Sequence, residues 1–195
     1  MFGYSPQFTS ICFSIPSLLY AGLSPFMYLI TERLPKRMVM LIGFLLLSCG
    51  MALVGQSNVL GLDADADFVL LGLVLIGGAA AMIAIPVMPE CLEAIEECHD
   101  LNFDPEEVNN EVAGIFVTAT GVGEAIGPMI SSILNHHYGF TTAQDYCASF
   151  LLCYLLIYFF LGGGFSIFML SKIEKERKIV RKQESHFKMR ESELV

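Results

Sequence analysis

Hydrophobic positions fall into five long runs separated by short polar segments, at residues 8–30, 38–56, 68–88, 112–134 and 147–171. A helix needs about 20 residues to cross the roughly 30 Å hydrocarbon slab of a bilayer, and each run supplies that length. Lipid offers the backbone no hydrogen-bond partners, so runs of this kind close their bonds internally as helices. The residue-by-residue alternation of a membrane barrel is absent. Four of the runs lack Asp, Glu, Lys and Arg altogether, and the fourth in order holds one such residue, Glu124. The pattern predicts an all-α membrane protein with a five-helix transmembrane domain over 1–171 and a charged tail over 172–195.

Composition agrees with the pattern. Of the 195 residues, 54% are hydrophobic and 16% charged, against about 45–50% and about 25% in soluble domains. A single soluble domain, a disordered chain and a nucleic-acid binder are excluded. The six cysteines form no CxxC and no Cys/His set at metal spacing, so they read as reduced, small apolar packing residues.

Charge adds direction. All 11 Lys and Arg lie in two places, at Arg33, Lys36 and Arg37 and then from Lys172 to Arg190. Five spans put both clusters on one side of the membrane. The positive-inside rule then sets the C-terminus in the cytoplasm and the N-terminus outside or in a lumen. No basic n-region precedes the first run, which is also too long for a cleaved signal segment. The net charge of −9 comes from nine acids and no bases between Pro89 and Glu111, a negative cytoplasmic loop able to order itself against basic segments. Asp104-Pro105 reads as a helix start, and residues 90–100 as a short surface helix.

Within the spans, Glu124 is the residue with chemistry. A carboxylate midway along a membrane helix costs on the order of 2.5–3.5 kcal/mol, so it faces a cavity or a partner and is a functional candidate by default. Thr120 shares its face one turn away. No Lys, Arg or His lies in any span to neutralise it. It is therefore either protonated, through desolvation, or paired with a cation from outside the chain. Gly123-x-x-x-Gly127, flanked by Gly121 and Pro128, is a small-residue face for close helix contact, and Gly77, Ala80, Ala81 and Ala84 offer the same in the third span. Pro16, Pro25, Pro86 and Pro128 are expected to bend their helices. Asp63-Ala64-Asp65-Ala66-Asp67 lacks the glycine and glutamate of a calcium loop. His136-His137, read as part of an outer loop at 135–146, has no ligand set. No nucleophile–base arrangement is present. No enzyme, metal or cofactor is expected.

Three motifs carry a family resemblance. Glu32-Arg33-Leu34-Pro35-Lys36-Arg37 resembles the D-R-x-G-R-R loop of major facilitator superfamily transporters, with Pro35 in place of the glycine. In this turn Glu32 is expected within reach of Arg33 or Arg37. Gly121-Val122-Gly123-Glu124-Ala125-Ile126-Gly127-Pro128 resembles the glycine-rich stretch of helix eleven in that superfamily. Ile85-Pro86-Val87-Met88-Pro89-Glu90, then Asn102-Phe103, then Tyr138-Gly139-Phe140 follow an order similar to the solute carrier 18-type vesicular amine and polyamine transporters. The five spans thus resemble helices eight to twelve, a partial major facilitator bundle or half-transporter.

The resemblance implies proton-coupled alternating access for a small organic solute, a cationic amine or polyamine, with spans one, three and four lining the cavity. Glu124 and Thr120 are the first candidates for substrate or proton contact, followed by Ser17 and Tyr20 of span one. The role of Glu124 comes from its chemistry, since the motif carries no acid at that point. Besides the solute, protons and the lipid bilayer, the expected partner is a missing N-terminal half or a partner membrane subunit; no nucleic acid is expected. The competing reading is a truncated, non-transporting membrane protein serving as a scaffold or partner subunit.

Overall fold

The computed structural model describes residues 6–57, 61, 65–98 and 105–161. Five helices follow one another: α1 (Pro6–Arg33), α2 (Lys36–Val54), α3 (Ala66–Cys98), α4 (Pro105–Tyr138) and α5 (Phe140–Leu161). All five are long and apolar enough to cross a membrane, and no strand occurs among the described residues. The charged tail, the glycines at 162–164, Asp63, Ala64, Asn102, Phe103 and Asp104 lie outside them. The chain divides into two compact units, Met1–Leu155 and Leu156–Val195. In the second, only the end of α5 is described, where the rings of Phe159 and Phe160 meet edge to face with centroids 5.6 Å apart.

In the first unit α3 is the hub, packing along α2 and α1 and touching α4 more lightly. Its crossing with α2 is made by glycine. A Cβ on Gly72 would stand 2.8 Å from the carbonyl oxygen of Gly50, and one on Gly50 would stand 3.0 Å from that of Gly72. One turn-pair away, Gly43 faces Met82 and Ile83. The spacings Gly43-x6-Gly50 on α2 and Gly72-x6-Ala79 on α3 repeat every seven residues, the period of a left-handed helix pair. Gly77 performs the same service for α1, since a Cβ there would meet the backbone of Pro16 at 2.7 Å. The small-residue face expected on the third span is therefore used, and Ala79 and Ala81 are fully buried. Near the α1–α2 turn Met27, Val39 and Ala81 form a buried apolar cluster, with Met82 and Ile85 against it.

α5 joins α2 through a few specific contacts. Ser48 is buried and its Oγ donates to the carbonyl of Ala148 at 2.9 Å. Phe44 and Tyr154 meet edge on, and a Cβ on Gly55 would overlap that of Gln144. This last approach explains an odd turn. Gly55 keeps helical angles (φ −72°), and the left-handed residue that closes α2 is Gln56 (φ 51°). Ser57 N–H reaches Ala52 O at 3.0 Å and Gln56 N–H reaches Leu53 O at 3.1 Å, the paired bonds of a Schellman ending. The glycine is spent on proximity to α5.

Two loop expectations are corrected. Residues 90–98 are no separate surface helix: α3 continues to Cys98. The predicted outer loop at 135–146 shrinks to Gly139, whose φ of 80° lets α4 end and α5 start at once. His136 and His137 consequently belong to the last turn of α4, and α5 begins seven residues before the apolar run that announced it, because the polar stretch 140–146 is helical too. Helices α1, α3 and α4 run through their prolines without interruption.

Candidate solute site on the fourth helix

α4 starts at Pro105, as the sequence predicts. A proline suits the first helical position because its missing N–H would have had no partner there. Over its most apolar window no residue of α4 is buried by the rest of the chain, and Val112 alone is buried among its described side chains. Ile115, Val122, Ile126, Met129 and Ile133, all exposed, share one face and suit contact with lipid. The opposite face carries Ala113, Val117, Thr120, Glu124, Gly127 and Ser131, spaced alternately four and three apart, so it forms one continuous stripe of small and polar residues.

Glu124 lies one residue past the midpoint of the span Val108–Tyr138. It is exposed, and among the described residues it makes no ion pair. Thr120 stands one turn before it on the same face, but its hydroxyl donates to the carbonyl of Phe116 at 2.5 Å. Thr118 does the same to Gly114 at 2.8 Å. Thr120 therefore has no hydroxyl hydrogen left to donate to the carboxylate. Ser17 and Tyr20 are exposed on α1, which packs on α3 and shares no packed face with α4; the chain by itself does not gather them with Glu124 and Thr120. Gly121, Gly123 and Gly127 have open space where a Cβ would stand, so within this chain their face meets no helix. A shallow groove lined by Glu111, Gly114, Ile115, Thr118 and Ala119 lies around the helix from Glu124 and is separate from it.

The basic turn is organised differently from expectation. Leu34 and Pro35 alone separate α1 from α2. Glu32 accepts a hydrogen bond from Tyr28 and leaves the bases to others. Lys36 pairs with Glu93 and also reaches the carbonyl of Pro89 at 3.4 Å. Arg37 pairs through Nε with Glu90, while Arg33 stays exposed. The turn is thereby tied to the C-terminal part of α3. Sequence reasoning missed Glu90 and Glu93 as specific partners, although acids three apart in a base-free segment, close in topology to two adjacent bases, were the available signal.

Comparison with known proteins gives one match. The family model described as Major Facilitator Superfamily matches residues 1–191. No curated protein and no solved structure matches.

Proposed function

Because the chain belongs to the major facilitator superfamily, whose members are membrane transporters of small solutes and not enzymes, we propose that it carries a small organic cation, an amine or polyamine, in exchange for protons. It is an integral multi-pass membrane protein. In our reading its helices correspond to helices eight to twelve of a transporter of the vesicular amine and polyamine type, with the C-terminus cytoplasmic and the N-terminus outside or lumenal. The basic turn and the α3 extension then share the cytoplasmic side, as their ion pairs require. Such transporters rock one half against the other around a midplane site, and a second half or partner subunit would cover the α4 face that this chain leaves open.

The observation that carries the proposal is Glu124. It is the one acid within the five apolar runs, it lies near the midpoint of its span, and among the described residues it has no counter-ion. An ammonium group or a proton neutralises it alternately, which is the minimum an exchanger needs. Thr120 adds an acceptor oxygen, and Ser17 and Tyr20 contribute as α1 approaches in the assembled transporter.

The test is uptake of radiolabelled spermidine into membrane vesicles from cells expressing the chain, with and without an acid interior. Uptake should follow the gradient, and Glu124→Gln should lower it at least tenfold at equal abundance. Unchanged uptake and unchanged gradient dependence in Glu124→Gln would remove the residue from the mechanism. No gradient-driven uptake by the unaltered protein would favour the scaffold reading.

A further inference from the structure

The second oddity at position 124 is in the backbone. α4 remains helical through Pro128, and proline has no N–H, so the carbonyl of Glu124 loses the donor that a residue four positions later would supply. The pyrrolidine ring also pushes that carbonyl outward. A backbone acceptor left open in the middle of a bilayer costs several kcal/mol unless a hydroxyl, water or neighbouring group serves it. Among the described residues no side-chain hydroxyl donates to it: Thr120 and Thr118 lie on its N-terminal side and give their hydrogens to Phe116 and Gly114. One residue therefore offers two unserved acceptors, a carboxylate and a carbonyl, on the face that this chain leaves uncovered.

A cation satisfies both only if it carries N–H donors. A primary ammonium has three, enough for the carboxylate and the carbonyl with one to spare. A quaternary ammonium matches the charge but donates nothing, and would leave the carbonyl unserved. We propose that Glu124 and Pro128 together make a site selective for primary ammonium groups over quaternary ones, with Pro128 as the specificity-determining residue through the carbonyl it frees. The inference deepens the cation-transport reading and rests on it for the physiological ligand. It adds a chemical class that charge alone does not specify. Substituting Pro128 by alanine returns an N–H to the Glu124 carbonyl and closes the second acceptor while leaving the carboxylate in place.

The experiment compares n-butylammonium with N,N,N-trimethylbutylammonium as inhibitors of spermidine uptake in vesicles, and as ligands of the full chain in lipid nanodiscs by displacement of labelled spermidine. In the unaltered protein the primary amine should be about tenfold the more potent, the scale of a hydrogen bond from a charged donor. In Pro128→Ala that ratio should fall toward unity, with the quaternary cation binding as before. Equal potency in the unaltered protein overturns the proposal. A preference that persists in Pro128→Ala overturns the assignment to the freed carbonyl. Should Pro128→Ala fail to fold, infrared spectroscopy of the protein labelled with 13C=18O at the Glu124 carbonyl reads the same point: the primary amine should shift the band and the quaternary one should not, and a band unmoved by either overturns the proposal. Failure of the transport reading looks different, since gradient-driven uptake would be absent while the nanodisc preference still upheld the site.

Discussion

Replacing Gly72 by alanine should loosen the α2–α3 crossing, and the structure says by how much. The added methyl would lie 2.7 Å from Cγ2 of Val54, 2.8 Å from the carbonyl oxygen of Gly50 and 2.9 Å from the amide nitrogen of Val54. Ordinary contact begins near 3.4 Å, so the helices must part by roughly half an ångström or more, and two of the three atoms are backbone that cannot rotate away. Overpacking of this kind costs about 1–3 kcal/mol. Against it stands the better helix propensity of alanine, about 1 kcal/mol, leaving a net loss of about 0–2 kcal/mol, toward the upper end (about 1.5 kcal/mol) because backbone cannot give way. Gly121→Ala gains the propensity and meets nothing within 4 Å, so it should be neutral or slightly stabilising. Gly43→Ala falls between, because its tightest neighbour is the side-chain Cγ1 of Ile83 at 2.8 Å, which can shift. The assay is thermal unfolding of the purified chain in mild detergent, followed by size-exclusion recovery since the chain has no tryptophan. Gly72→Ala should lower the midpoint by about 3–6 °C, on the scale of 2–4 °C per kcal/mol for a chain of this size. A Gly72→Ala midpoint at or above that of the unaltered chain, or an equal loss in Gly121→Ala, would refute the reasoning.

Further expectations concern the basic turn and the end of α2. A double-mutant cycle on Arg37→Ala and Glu90→Ala should give a coupling of about 1 kcal/mol, the upper range for an incompletely desolvated pair; the same cycle on Lys36 and Glu93 should give less, because the Glu93 side chain is 60% exposed. Both couplings should shrink with added salt, and unfolding measured at two ionic strengths checks this. Gln56→Gly should stabilise the chain by about 0.5–1 kcal/mol, since a left-handed conformation burdens a residue with a side chain and suits glycine; an unchanged or lower midpoint would show that the Gln56 side chain contributes more than its long contact to Asp65 O at 3.5 Å.

Much of this molecule was legible one residue at a time. The spans are visible because bilayer thickness imposes a length and forbids charge, both of which are properties of a linear stretch. Pro105 as a helix start and Glu124 as a lone mid-membrane acid are legible for the same reason. Gly43, Gly50 and Gly72 were not singled out, because a glycine in an apolar run looks alike whether it touches another backbone or open lipid. The conspicuous Gly121, Gly123 and Gly127 drew the attention, yet in this chain they meet nothing.

What the sequence by itself determined was therefore the number of membrane helices, their apolar character, the basic turn, and the acid on α4. The tertiary structure decided the pairings. It sent Lys36 and Arg37 to Glu93 and Glu90, gave the tight crossing to α2 and α3, reduced an expected loop to Gly139, and left the Glu124 face uncovered. The physical reason is one of range. Hydropathy and helix signals act within a few residues of the chain, whereas ion pairs and glycine crossings join positions more than twenty residues apart, and only the packed helices bring those into contact.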